Sequence, residues 1–213
     1  RRLSEPADVL FYSLSHMRTS VDGKWLDRHC DPLINIMRGE RALKCVLLES
    51  AYDVPHRVPR ANNELAIEVD SWVRFVARRG NRSHGGNTRM QSYGEFLRWL
   101  QKTFVGLDSS ALSVRALARE VRSVTALRDA FERVLAESGA RVCFVVCYYH
   151  DPAMALAWAC RRAGIPCVDL QHGMQANPAY TRWTKIPDGG YEFLPEIFWN
   201  WTRNESVGIR SWA

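Results

Sequence analysis

The chain alternates short, wholly apolar runs with longer segments in which apolar residues recur every three or four positions. Val142 to Val146 is continuously apolar, the pattern of a parallel strand buried on both faces. Asp151-Pro152 follows as an N-cap and a first-turn proline. Met154, Leu156, Ala157 and Cys160 then keep helical spacing, Arg161 and Arg162 suit the negative end of the helix dipole, and Gly164 stops the helix. Ile165 to Leu170 is the next strand. Strands joined in this way are usually neighbours in one sheet. Tyr148-Tyr149-His150-Asp151 and Gln171-His172-Gly173 are therefore expected side by side at its carboxyl edge, where open α/β sheets bind ligands.

The same alternation opens the chain. Asp8 to Leu14 predicts a first strand that ends in Ser15-His16-Met17-Arg18. Asp31-Pro32 starts a helix, Leu33, Ile34, Ile36 and Met37 form its buried side, and Gly39 ends it. Leu43 to Leu48 predicts a second strand that closes on Glu49-Ser50, and a proline-punctuated loop follows. From about 64 to 137 the spacing is helical. Leu65, Val69, Trp72, Val73 and Val76 make one face, with Gly80 as its end. The polar, glycine-rich stretch Asn81 to Arg89 reads as a mobile loop. Ser92 and Glu95 read as a capping box for a helix that buries Phe96, Leu97, Leu100 and Phe104, and Ser110 to Ser138 is one helix or two. A last short strand is expected at Ile197 to Trp201. The alternation predicts a single α/β domain over residues 1–213, with a Rossmann-like, mostly parallel sheet. The helices of 64–137 cover its faces or form an added layer.

Composition narrows this picture. At 213 residues and 46% hydrophobic, the chain can bury one sizeable core. Its six cysteines include no C-x-x-C pair and fall mostly in predicted core segments. They read as reduced thiols of a cytosolic protein, and no His and Cys share a metal-ligand spacing. A net charge of +6 suits an anionic ligand, an acidic membrane surface or nucleic acid. The arginines are spread along helices instead of forming a tail, which argues against nucleic acid. No apolar run approaches the ~20 residues that span a bilayer. The opening RRLSEPAD reads as a boundary inside a longer chain.

The strand ends carry the candidate chemistry. His172 stands between Gln171 and Gly173, just past a buried strand. A neutral imidazole there can take a proton from a hydroxyl, or serve as a structural hydrogen-bonding group. Gly173 lets backbone approach a ligand closely. His150 can bind a ligand or fill the rim, while Asp151 caps its helix. His16 and Arg18 close the first strand, and Arg18 can grip an anion or form a salt bridge. Glu49 reads as a solvated strand-end charge in preference to a second general base, and His84 as an exposed loop histidine. Tyr180, Trp183, Tyr191, Phe193, Phe198, Trp199 and Trp201 crowd the last third, and aromatic faces of this kind pack a core or stack on sugar rings. Neither a glycine-rich phosphate loop nor a G-x-S-x-G nucleophile motif is present.

Asp169-Leu170-Gln171-His172-Gly173, Tyr180, Leu194-Pro195 and Phe198-Trp199-Asn200-Trp201 together resemble a family. They are similar to the N-terminal half of bacterial capsule and O-antigen polysaccharide glycosyltransferases of GT-B architecture. Ala157 to Gly173 fits that family's pattern of helix, Gly-Ile-Pro, strand and Gln-His-Gly, and the segment from Asp8 to Ile34 looks like its first strand and following loop. The resemblance implies an acceptor-binding Rossmann-like domain, with a nucleotide-sugar donor held by a second domain outside these residues and no other cofactor. It implies His172 as catalytic base, by analogy with teichoic-acid polymerases. Gln171, Gly173, His150, Arg18, His16 and Tyr180 would then contact a glycan or lipid-linked glycan acceptor. It also implies a cytoplasmic enzyme, in peripheral contact with the inner membrane, that does not bind nucleic acid. Two other readings stay open on the residues: a non-catalytic carbohydrate- or partner-binding domain, and a glycerophosphate transferase of the teichoic-acid type.

Overall fold

A computed structural model describes residues 6–51, 54–62, 66–82, 92–106, 108–109, 112–173, 180, 188 and 190–211. Its frame is a six-stranded, wholly parallel sheet made of β1 (Val9–Leu14), β4 (Cys45–Ser50), β5 (Ala66–Glu68), β6 (Val142–Val146), β7 (Cys167–Leu170) and β8 (Ile197–Trp199). The order across it is β5-β4-β1-β6-β7-β8. The chain first builds outward from β1 on one side, then returns to build outward on the other. The direction reverses between β1 and β6, the Rossmann-type switch point where a crevice opens beyond the strand ends. Every residue of β1 and β4 is buried, which is why their sequences do not alternate.

A helical layer formed by α2 (Asp70–Arg82), α4 (Val114–Ser138) and α5 (Asp151–Ala163) packs beside the sheet. Phe131 of α4 joins it to the sheet, edge-on to Tyr12 of β1 and to Trp72 of α2. The predicted 110–138 segment is a single helix, capped by Ser113, whose hydroxyl accepts from the Ala116 N–H. Gly139 and Gly164 end α4 and α5 in the left-handed conformation, as C-terminal glycines do. On strands β1 and β6, Phe11 stacks on Phe144 at 5.0 Å between ring centres. The six cysteines are all buried and free, and they pack as small apolar residues.

Several expectations need correction. Gly39 lies inside α1 (Asp31–Arg41), which ends at Ala42. Its surroundings are open, so the helix tolerates it. Residues 66–68 are a strand, not the start of a helix. Gly80 sits inside α2, where a Cβ would lie 2.5 Å from Ala126 Cβ and 2.9 Å from the Arg122 carbonyl oxygen. It is there to let α2 and α4 touch. Gly80→Ala should therefore destabilise the fold by up to ~2 kcal/mol, because overpacking (~1–3 kcal/mol) outweighs the helix-propensity gain of ~1 kcal/mol. A denaturant melt of the variant checks this, and a gain in stability would contradict it.

Ser92 adopts a left-handed conformation (φ 59°) with no side-chain cap bond, so the expected capping box before α3 (Tyr93–Thr103) does not form. Helix α3 buries none of its residues. Asp151 is the first residue of α5 and His150 is its N-cap, without a side-chain cap bond. Most of the glycine-rich stretch, including His84, lies outside the described residues, as does Trp183. A hairpin, β2 (Arg18–Val21) and β3 (Lys24–Asp27), fills the segment after β1. Its turn, Asp22-Gly23, has positive φ at both positions (49° and 73°), the geometry that Asp-Gly favours. A short helix, α6 (Val207–Arg210), closes the described chain.

Candidate active site

The expected juxtaposition holds. All strands of the main sheet run parallel, so the ends of β1, β4, β6 and β7 share one edge. Of the six histidines in the chain, His16, His29, His150 and His172 converge there. The His29 and His172 rings are edge-on at 6.5 Å, and His150 lies 5.4 Å from the Tyr12 ring. The mutual fields of His16, His150 and His172 complete the group. His16 is carried by a 3-10 turn, Ser15–Met17, directly after β1. His150 follows β6 and His172 follows β7, so the group straddles the switch point.

The rings of His150 and His172 are kept neutral. Burial, reinforced by neighbouring histidines, pushes each pKa down to about 4. A contact with the Leu170 backbone works the other way on His172 but does not prevail. His29 is lowered as well, chiefly by burial. His172 is held at both ends of its ring. The Tyr149 hydroxyl lies 3.1 Å from Nε2, and the Tyr180 hydroxyl 3.5 Å from Nδ1. Tyr180 in turn donates to Asp169 Oδ2 at 2.9 Å, and the Tyr148 N–H donates to Asp169 Oδ1 at 3.3 Å. A line of polar groups thus runs from buried Asp169, through Tyr180, to His172 and the half-exposed Tyr149 at the rim.

Burial pushes the Asp169 carboxyl up to about 8, against the hydrogen bonds from Tyr180 and Tyr148. Sequence reading missed Asp169 as a participant. Its signal was a carboxylate inside the otherwise apolar strand Cys167–Leu170. His29 was missed too, because it follows a hairpin that was not foreseen.

These shifts give stability a pH optimum. In the unfolded chain histidine titrates near 6.5 and aspartate near 3.8. As pH falls from about 8 to 6.5, the folded chain holds a proton on Asp169 that the unfolded chain lacks, so stability rises. From 6.5 down to about 4 the unfolded chain takes up protons at positions 150 and 172 that the folded chain refuses. Those two outnumber the one on Asp169, so these groups together lower stability by ~1.4 kcal/mol per pH unit. Melts across this range should peak near pH 6.5. A melting temperature that climbs steadily to the alkaline end would contradict the assignment.

Other expected contacts resolve differently. Gln171 is buried, its Nε2 donating to the Gly173 carbonyl (2.8 Å) and its Oε1 accepting from the Trp201 N–H (2.7 Å). It pins the His172 loop to the end of β8, so its amide is occupied by the fold instead of facing a substrate. The Arg18 guanidinium is also buried. It is paired with Glu49, lies 3.5 Å from Asp31 and donates to the Trp25 carbonyl at 3.0 Å. Glu49 is 0% exposed, not a solvated charge. It also accepts from Arg60 (2.8 Å) and meets His56 Nδ1 (2.8 Å), whose Nε2 lies 2.7 Å from Asp70. Burial disfavours the Glu49 carboxylate, but Arg18, His56 and Arg60 outweigh it and hold its pKa below the usual value. This network braces the strand ends beside the histidines. Tyr180 is buried among Tyr148, Tyr149 and Phe198, whereas Trp199 and Trp201 are exposed.

A cavity of about 440 Å³, lined by Arg161, Ile165, Tyr191, Leu194 and Phe198, opens at the opposite edge of β7 and β8. No histidine lines it. Among the described residues no His, Cys, Asp or Glu cluster is arranged to hold a metal. After β1 the chain enters a turn and hairpin instead of a glycine-rich loop and helix N-terminus, so the usual dinucleotide cradle is not built there. No described helix is long and apolar enough to cross a membrane. The fold and the site define an α/β protein with a Rossmann-like sheet and a histidine-lined carboxyl edge. Comparison of the chain with models of known families and with characterised proteins gives no match.

Proposed function

We propose that the chain is the acceptor-binding domain of a glycosyltransferase that builds a bacterial surface polysaccharide from a nucleotide-activated sugar. The observation that carries this reading is the neutral His172 ring at the switch-point edge. Its Nδ1 side faces Tyr180, and its Nε2 points to the rim at Tyr149. A general base must be unprotonated at working pH and within reach of the hydroxyl it activates. A pKa of about 4 satisfies the first condition. An acceptor sugar hydroxyl entering where the Tyr149 hydroxyl now lies would meet the second.

In this mechanism His172 Nε2 takes the proton as the acceptor oxygen attacks the anomeric carbon of the donor. The sugar–phosphate bond breaks, and the nucleotide leaves with the bonding pair. Asp169 and Tyr180 act through His172 as positioning residues that fix its ring. His16, His29 and His150 line the acceptor side, and Tyr149 sits at the mouth. The donor would be held by a second domain.

The test is a titration of the chain with candidate acceptor glycans, followed through the imidazole NMR signals. Saturable shifts of His172 and His150 are expected, and they should weaken in Tyr149→Phe. Unshifted imidazoles across all acceptors would count against an acceptor site at this edge.

A further inference from the structure

Among the described residues no core covers the apolar side of helix α3. Phe96 is 44% exposed, Trp99 56%, Phe104 53% and Val105 96%, although the helical spacing predicts that Phe96 and Phe104 are buried. The rings form a continuous run. Tyr93 meets Phe96 at 5.7 Å, Phe96 stacks on Trp99 at 6.1 Å, and Phe104 stands edge-on to Trp99 at 6.4 Å. Arg98, Gln101 and Lys102 occupy the other side. Aromatic residues opposite basic ones on one short helix are the pattern of a helix that lies in a membrane interface.

The surroundings supply matching charge. Trp72 packs on Phe131 and Gly80 on Arg122 and Ala126, so α2 and α4 run antiparallel. The last turns of α2 therefore lie toward the start of α4. Helix α3 is tied to the same end, because the Tyr93 hydroxyl donates to the Leu112 carbonyl, two residues before α4 begins. Exposed Arg79, Arg82, Arg98, Lys102, Arg115 and Arg119 thus gather at one end of the helical layer. Among the described residues the carboxylates of this region are Glu95, Asp108 and Glu120, the last paired with Arg119 at 3.3 Å, so the cations remain in excess. An apolar partner protein would not need this excess of cations. A bilayer with anionic headgroups matches both features, since the rings enter the acyl boundary while the arginines meet phosphate.

We infer that α3, with the basic end of the helical layer, docks the protein on anionic membrane surfaces by inserting Phe96, Trp99 and Phe104 at the headgroup boundary. The docking goes beyond the proposed chemistry and does not depend on it: His172→Ala should leave it unchanged.

The test is co-sedimentation of the chain with vesicles of equal parts phosphatidylglycerol and phosphatidylcholine, and with phosphatidylcholine alone. Binding to the anionic vesicles is expected, weakened by raising the salt from about 0.1 M to 0.5 M. Phe96→Ala/Trp99→Ala should weaken it by about tenfold or more. Both side chains are exposed, so the fold should survive, and circular dichroism checks that. Arg79→Glu/Arg82→Glu should abolish the preference for anionic lipid while leaving the rings in place. Brominated lipid should quench a share of the tryptophan emission that is lost in Trp99→Phe. Failure to sediment with anionic vesicles, equal binding by all variants, or a dimer in solution that buries Trp99 would each overturn the inference.

Discussion

Replacing Glu49 with alanine is expected to cost ~3–5 kcal/mol, a large part of the ~5–15 kcal/mol that stabilises a domain. The Glu49 carboxylate is fully buried and joins Arg18, Arg60 and His56. Its removal takes the shared carboxylate from two buried guanidinium groups, leaving Arg18 with Asp31 at 3.5 Å and Arg60 with the half-exposed Glu68 at 2.7 Å. The penalty is that of two buried charges left with one poorer partner each, not the modest net worth of a surface ion pair. For a chain of 213 residues the melting temperature should fall by roughly 6–20 °C. Glu49→Gln should cost less, because the amide oxygen still accepts. The exposed Arg119–Glu120 pair, at 3.3 Å, is the control, since Glu120→Ala should change stability by less than ~1 kcal/mol. Equal melting shifts for the two alanine variants would show that the Glu49 network bears no load.

The case of Glu49 also shows where the sequence stops being legible. Buried parallel strands announce themselves, because most positions in them are apolar without alternation. The segment Val142–Val146 and the helix and strand after it are therefore where they were expected, and so is the shared edge of His16, His150 and His172. A charge at a strand end is different. Whether Glu49 faces water or Arg60 depends on a loop that returns from positions 54–62, and nothing local to Glu49 reports it. Arg18 is hidden for the same reason, because its partners lie on β4 and α1. The hairpin was legible in principle from Asp22-Gly23, but the strands on either side are only four residues long and mostly not buried. Strand β5 was hidden because Leu65 and Val69 also fit helical spacing, and the sheet, not local propensity, decides its state. Gly80 reads as a stop signal in sequence, yet it is a contact with Ala126 that only the packed layer reveals. Helix α3 was placed correctly, but periodicity cannot say whether an apolar face meets a core or something outside the chain.

The second large effect falls on turnover. On the proposed function, His172→Ala in the full-length protein should lower it by ~10²-fold or more, the usual scale for a lost general base. Three observations support that size. The ring is unprotonated and available as a base, although a pKa pushed down to about 4 by burial and neighbouring histidines makes it a weaker one than a free imidazole. Its Nε2 faces the rim, beside Tyr149. Its Nδ1 side is fixed through Tyr180 to Asp169, so little reorganisation is needed when it accepts a proton. The loss should not come from unfolding, because Gln171, not His172, holds the loop to β8. Tyr180→Phe should act in the same direction but more weakly, through the orientation of the ring. It should shift the pH profile of turnover, which a purely structural role would not do.

The most direct test of the proposed function measures turnover and melting temperature on a single preparation of His172→Ala, with acceptor and nucleotide-sugar donor supplied to the full-length protein. The account predicts a melting temperature within a few degrees of the parent and turnover reduced ~10²-fold or more. Turnover per folded molecule near that of the parent, with a markedly lowered melting temperature, would contradict it and make His172 a structural residue.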